Sequence, residues 1–156
     1  MCSCAEETKD QETSIISTKV GSVSHVIDGD TFAFKDSIKT SIIRLAGIDA
    51  PELRQAFGNE SKVALTNILG LKENSLRIDI IFVDKYGRLI ARVYLNDTLD
   101  VNLYMVKNGF AWHFSKYSTD TLFSNAQEFA KKNKLNLWSG NNIIEPSEFR
   151  KRAVSK

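Results

Sequence analysis

Residues able to do chemistry gather in two short stretches. The first is Asp28-Gly29-Asp30-Thr31 and the second is Arg44-Leu-Ala-Gly-Ile-Asp49-Ala50-Pro51-Glu52. Together they set four carboxylates and an arginine beside a glycine turn and a proline turn. Carboxylates collected at strand ends repel one another unless a cation intervenes. Asp30 and Asp49, with a backbone carbonyl, are hard oxygen donors of the kind that hold Ca²⁺ or Mg²⁺. Glu52 stands beyond Pro51 on a rigid turn, placed to accept a proton from an attacking water. The chemistry expected is metal-assisted cleavage of a phosphodiester. Asp-Gly-Asp alone is more often only a turn, and Asp49-Ala-Pro-Glu52 alone is equally weak. Their joint appearance with Arg44 is what points to a site.

Arg44 precedes Leu45 in a strongly apolar segment, where a guanidinium needs an anion. That anion is either one of the carboxylates or a phosphate. Arg88 follows the Tyr86-Gly87 turn and is placed to face the same rim. Two guanidiniums on phosphoryl oxygens would offset the charge that builds up during in-line displacement. Lys85, Tyr86 and Tyr117 offer a cation and stacking faces for bases or sugars, although a tyrosine with one wet end is also ordinary packing. His25 reads as a surface position. His113 lies among aromatics and reads as a satisfied structural group. Trp112, Phe114, Phe123, Phe129 and Trp138 fit core packing better than an exposed platform.

These residues need a scaffold, and 156 residues suffice for one domain with a core. No apolar run approaches the roughly 18 residues of a membrane span. Strands are expected from Thr18 to Ile27, Thr31 to Lys35 with Phe32 and Phe34 on one face, Thr40 to Gly47, Leu76 to Phe82, and Arg88 to Leu95. Helices are expected from Gly58 to Gly70, from Val101 to Asn108, and after a Ser118 or Thr119 cap with Leu122, Phe123, Ala126, Phe129 and Ala130 as the buried stripe. Leu137 to Ser139 and Pro146 to Arg150 read as loop or short turn. The resulting class is α+β, a small five-stranded barrel partly covered by helices. The organisation is a flexible polar tail over 1–17, one domain over 18–150, and a basic C-terminal tail over 151–156.

The net charge of +2 is unevenly spread. Residues 1–12 hold four acids against one lysine, a net −3, which leaves +5 on the rest of the chain. A modestly cationic body suits a polyanionic partner. Both cysteines, Cys2 and Cys4, lie in the acidic tail. Two thiols are too few for a structural zinc site. Tail thiols without a role are one expectation. The other is that a cysteine here is the lipid-attachment residue of a secreted or cell-envelope protein. On that expectation the charged and apolar signal segment is one that this chain does not include.

Taken in order, Val26-Ile-Asp-Gly-Asp-Thr31, Arg44 to Glu52, Asp84-Lys-Tyr-Gly-Arg88, Val101-Asn102 with Gly109-Phe-Ala-Trp112, and Leu137-Trp138 resemble the staphylococcal nuclease (thermonuclease) family over roughly residues 18–150. The resemblance implies an OB-fold barrel with three helices and Ca²⁺-dependent hydrolysis of DNA and RNA. It further implies Asp30, Asp49 and the main-chain carbonyl of Ala50 as calcium ligands, and Glu52 as general base. Arg44 and Arg88 match the phosphate-binding arginines, and Lys85, Tyr86 and Tyr117 the substrate contacts. A second nucleotide-facing tyrosine of that family corresponds to Ser115, which weakens base stacking. The stretch from Pro51 to Gly58 is shorter than in the family's best-known member. Nothing implies a stable protein partner, and a monomer is expected. The alternative, from another class, is a non-catalytic OB-fold module that binds nucleic acid or protein.

Overall fold

The protein is described here from a computed structural model that covers residues 14–70 and 75–155. Cys2 and Cys4, and with them the expected lipid attachment, lie outside the described residues. Strand β1 (Ser17–Val26) pairs antiparallel with β2 (Thr31–Lys35), and β2 with β3 (Thr40–Leu45). β4 is a two-residue strand, Ile48–Asp49. β5 (Leu76–Val83) joins the other edge of β1 and pairs antiparallel with β6 (Leu89–Leu95). β3 then meets β6 in parallel, Ile43 to Leu45 against Leu89 to Ala91. That contact closes β1, β2, β3, β5 and β6 into the expected five-stranded barrel and leaves no open edge between its first and last strands.

The strands form where apolar residues recur at spacing two. Phe32, Phe34, Ile43, Ile78 and Val93 are fully buried and fill the barrel with Leu45 and Leu76. Burying each such side chain contributes roughly 1.5–3 kcal/mol. His25, on β1, is exposed, as expected. The two-residue strand β7 (Leu99–Asp100) adds to the edge of β6. Within the expected aromatic connector, β8 (Trp112–His113) pairs with β4, so Asp49 lies opposite Trp112.

Among the described residues four helices accompany the barrel rather than three. α1 (Gly58–Leu69) buries Leu65 and Leu69. α2 (Val101–Lys107) is capped by Asp100, whose side chain accepts from Leu103 N. α3 (Thr121–Lys132) is capped by Asp120, not by Ser118 or Thr119. Ser118 Oγ instead accepts from Asp120 N at 3.3 Å, one step before the helix. The stripe of α3 is also narrower than expected. Phe123, Ala126 and Ala130 are buried, whereas Leu122 and Phe129 are about half exposed. The helix packs chiefly on α2 and β8, and one edge suffices for that. Leu137 and Trp138 lie in a 3₁₀ turn, Asn136–Ser139.

The fourth helix, α4 (Pro146–Val154), replaces the expected loop and part of the expected basic tail. Its signals are local. Proline stands at the helix start, Glu148 in the first turn, and Lys151 and Arg152 in the last turn, each matching the helix dipole. A Glu148–Arg152 pair spans one turn at 3.1 Å. No apolar periodicity announces it.

Asn102 ties the layers together. It is fully buried, and its Nδ2 donates to Ala46 O at 2.9 Å and Ala91 O at 3.0 Å while its Oδ1 accepts from Val93 N at 3.0 Å. It thereby joins α2 to β6 and to the turn between β3 and β4. Asn102→Ala strands Val93 N–H and Ala46 C=O without a partner, because Ala91 O keeps the bond from Ala46 N. The expected loss is about 2–4 kcal/mol, with each unsatisfied buried group costing about 1–3. Urea denaturation of the variant beside the parent measures it.

Candidate functional site

The site begins at the turn between β1 and β2. Asp28 Oδ1 accepts the Asp30 N–H at 3.0 Å, an Asx turn that confines Asp28 to shaping the chain. Gly29 sits where a side chain does not fit. A Cβ there would lie 2.6 Å from Ser61 Cβ and 2.7 Å from Ala50 Cβ. The turn is thus pressed between α1 and the residue that follows Asp49. Asp30, nearly buried, accepts from Thr31 Oγ1 at 2.9 Å and from Ala50 N at 2.7 Å. The strands that carry Asp30 and Arg44 are neighbours, since Thr31 and Arg44 face each other in the β2–β3 register.

Arg44 bridges the first two carboxylates. Its Nη1 lies 2.5 Å from Asp30 Oδ1 and its Nη2 2.9 Å from Asp49 Oδ1. In this structure the anion of Arg44 is therefore the carboxylate pair, the salt-bridge alternative. Nη1 nevertheless makes no aligned hydrogen bond and is buried. Burial works against the Arg44 charge, but Asp30 and Asp49 outweigh it and raise the guanidinium's pKa. Burial likewise opposes the Asp30 charge, and Arg44 outweighs it, so Asp30 is held below the usual carboxylate range.

Glu52 leaves the barrel on a tight turn. Its N–H donates to Gln55 Oε1 at 3.1 Å and its C=O accepts from Gln55 N at 2.7 Å. α1 begins directly against this turn. A Cβ on Gly58 would lie 2.0 Å from Glu52 O. Gln55 also donates from Nε2 to Ile144 O at 2.5 Å, linking the turn to the segment ahead of α4.

From α4 comes a residue to which sequence reasoning assigned no role. Arg150 donates from Nη2 to Asp49 Oδ2 at 2.9 Å, and from Nη1 to Asp49 Oδ1 at 3.2 Å and Glu52 Oε1 at 2.8 Å. The only sequence signal was the basic run Arg150-Lys-Arg152, which has no spacing relation to residues about a hundred positions earlier. Arg44 and Arg150 thus bridge Asp30, Asp49 and Glu52 in series.

Asp30, Arg44, Asp49, Ala50, Glu52, Arg88, Tyr86, Tyr117 and Arg150 all line one open cleft of about 1130 Å³. The parallel β3–β6 pairing brings Arg88 to this rim. Arg88 donates from Nε to Asp84 Oδ2 at 2.8 Å, and its guanidinium lies 5.5 Å from the Tyr86 ring centroid. Tyr86 and Tyr117 are largely exposed. Lys85 is not part of the cleft wall. Its Nζ lies 5.0 Å from the Tyr86 centroid, at the outer edge. Phe114 packs edge-on against Tyr117 with centroids 4.8 Å apart, and Ser115 is exposed. His113 is structural, as expected. Its Nε2 donates to Ser118 O at 2.9 Å, its Nδ1 accepts from Ser124 Oγ at 3.3 Å, and its ring stacks on Phe123.

The donors at the rim, two aspartates and a main-chain carbonyl, suit a hard cation. The buried Arg44 Nη1 without an aligned acceptor suits an incoming oxygen ligand. Among the described residues no three acidic, histidine or cysteine side chains are arranged to hold a metal.

The sequence matches the family model described as staphylococcal nuclease homologue over residues 42–140. It is 41% identical over 131 residues to an uncharacterized endonuclease of Haemophilus influenzae, covering 83% of this chain and 72% of that protein. An uncharacterized endonuclease of Escherichia coli O157:H7 is 36% identical over 132 residues, covering 85% of each chain. A micrococcal nuclease of Shigella flexneri is 33% identical over 141 residues, covering 84% of this chain and 80% of that protein.

Charge crowding at the rim has a pH signature. Burial first, and then the charge of Asp30, push the Asp28 carboxyl up to about 6. An acid whose pKa is raised on folding binds its proton more tightly in the folded state. Its effect on stability is favourable below about pH 4 and declines as pH climbs to about 6. Asp28→Asn keeps the Oδ1 acceptor for Asp30 N–H and removes that decline. The variant is expected to exceed the parent at pH 7 by ~1–2 kcal/mol after solvent screening, and to match it near pH 4. Denaturant midpoints at the two pH values check this.

Proposed function

The chain belongs to the staphylococcal nuclease family, and from that premise we propose that it is a calcium-dependent nuclease that hydrolyses phosphodiester bonds of DNA or RNA by in-line attack of water. The observation that carries this is convergence. Asp30, then Arg44, Asp49 and Glu52, and then Arg88 come from three separate stretches of the chain and face one cleft with tyrosines at its mouth. Ca²⁺ held by Asp30, Asp49 and the Ala50 carbonyl would supply Lewis-acid neutralisation of charge on a phosphoryl oxygen.

The chain's own groups do the rest. Glu52 takes the proton of the attacking water, since it is part-exposed and stands on the turn rather than inside the strand. Arg88 donates to phosphoryl oxygens from the nitrogens that Asp84 leaves unused. Arg44 does the same through Nη1, while its Nη2 keeps Asp49 in place. Tyr86 and Tyr117 stack on bases or sugars, and Lys85 follows the backbone charge from outside. Gly29 and Gly58 let the Asp30 and Glu52 turns approach α1 closely enough for these groups to meet.

One observation favours the non-catalytic alternative. Each of the three carboxylates already has a guanidinium partner, so the acidic rim persists without a metal. Degradation of DNA and RNA in Ca²⁺, in Mg²⁺ and in chelator separates the two. Cleavage in Ca²⁺ that stops with chelator is expected. Binding without cleavage in any of the three establishes the binding module instead. Glu52→Gln and Arg88→Ala should each lower turnover by at least ~10²-fold, the scale of losing an acid–base or charge-stabilising group. Steady-state rates near those of the parent would overturn the assignment of that residue.

A further inference from the structure

α4 lies beyond residue 140, where the family match ends, yet it places a guanidinium in the middle of the acidic rim. Arg150 takes both oxygens of Asp49 and one of Glu52. We propose that Arg150 is a built-in competitor of the divalent cation, a latch that α4 closes over Asp49 and Glu52 and that cation binding must open. The proposal rests on the calcium-binding role of Asp30 and Asp49 given above.

Charge supports it first. Asp30, Asp49 and Glu52 carry three negative charges, and Arg44 and Arg150 two positive ones, for a net −1. Without Arg150 the cluster stands at −2, which a single divalent cation offsets. With Arg150 in place the cation meets a like charge within hydrogen-bond reach of its own ligand. Geometry supports it second. Asp49 accepts three N–H bonds, one from Arg44 and two from Arg150, so a cation on either Asp49 oxygen crowds a guanidinium hydrogen.

α4 is also built to let go. Pro146 is its one buried residue, and Val154 is exposed. Among the described residues, every ion pair from α4 to the barrel comes from Arg150, since Arg152 pairs only with Glu148 inside the helix. The segment before α4 stays tied to the Glu52 turn through Gln55 and Ile144. The helix is therefore anchored at its start and held at its middle by the Arg150 ion pairs and the half-buried Phe149. Opening costs charge-assisted hydrogen bonds to a part-exposed arginine and the partial burial of Phe149, the one large apolar side chain that α4 does not expose.

Coupling of this kind is reciprocal. If the Arg150 contact weakens calcium binding by some factor, calcium loosens the contact by the same factor. The test is titration calorimetry with calcium on the full chain and on Arg150→Ala, with amide hydrogen exchange of residues 146–154 measured with and without calcium. Arg150→Ala should bind calcium about 10-fold more tightly, within the usual range of coupling factors. In the parent, calcium should speed exchange in α4, while in Arg150→Ala exchange there is already fast and calcium leaves it unchanged. Equal affinities, or weaker binding by the variant, overturn the latch while leaving the calcium site standing. No calcium binding by either protein overturns the site itself and the latch with it.

Discussion

Three carboxylates held within reach of one another cannot all stay ionised without positive charge between them. That constraint organises the rim of this barrel. Asp30 and Asp49 are nearly buried, so water does not screen them, and Arg44 is placed where it touches both. Arg150 then extends the series to Glu52. Alternation of acid and guanidinium holds Asp30 below the usual carboxylate range, whereas burial, with the charge of Asp30, keeps Asp49 above it despite Arg150 and Arg44. It also means that any phosphate or cation entering the cleft exchanges partners with groups already engaged. Arg88 differs, because its Asp84 partner occupies only the Nε edge of the guanidinium.

The barrel makes this crowding tolerable. Closure through β3 and β6 fixes the two ends of the acidic stretch relative to Arg88, and the pairing of β4 with β8 fixes Asp49 against Trp112. Asn102 joins α2 to the turn just before β4, so helix packing and the position of Asp49 are mechanically linked. Gly29 and Gly58 contribute through what they lack. At both positions a Cβ would push a backbone turn off α1 or off Glu52. The acid-bearing turns thus stand pressed against α1, which is what precise placement of side chains needs. α4 is held by the buried Pro146, the half-buried Phe149 and the ion pairs of Arg150.

Much of this was legible in the residue order. Strand alternation in Phe32-Ala-Phe34 and in Ala91-Arg-Val93, the turn chemistry of Asp28-Gly29, and the Gly58 and Gly70 bounds of α1 are local signals, and local signals survive into the fold. The joint presence of Asp30, Asp49, Glu52 and Arg44 beside turns pointed to a charged rim before any contact was known. The α3 stripe was drawn too wide because helical period places Leu122 and Phe129 near the buried edge, while how much of that edge meets a neighbour is not a local property. The cap of α3 moved from Ser118 or Thr119 to Asp120 because all three are cap-forming types, and only the path of the chain out of β8 chooses among them.

Sequence alone therefore determined which groups are available for chemistry: hard oxygen donors, a turn-borne glutamate, a strand-borne arginine at 44 and a second arginine at 88, because residue type and short spacing carry that information. Tertiary structure decided which charges actually meet. That Arg44 faces two aspartates and not one, that Asn102 satisfies three backbone groups, and that Arg150 reaches Asp49 from a hundred residues away follow from strand register, barrel closure and the docking of α4. None of these leaves a period or a motif in the chain, because electrostatic pairing over long sequence separations depends on where the backbone brings its ends.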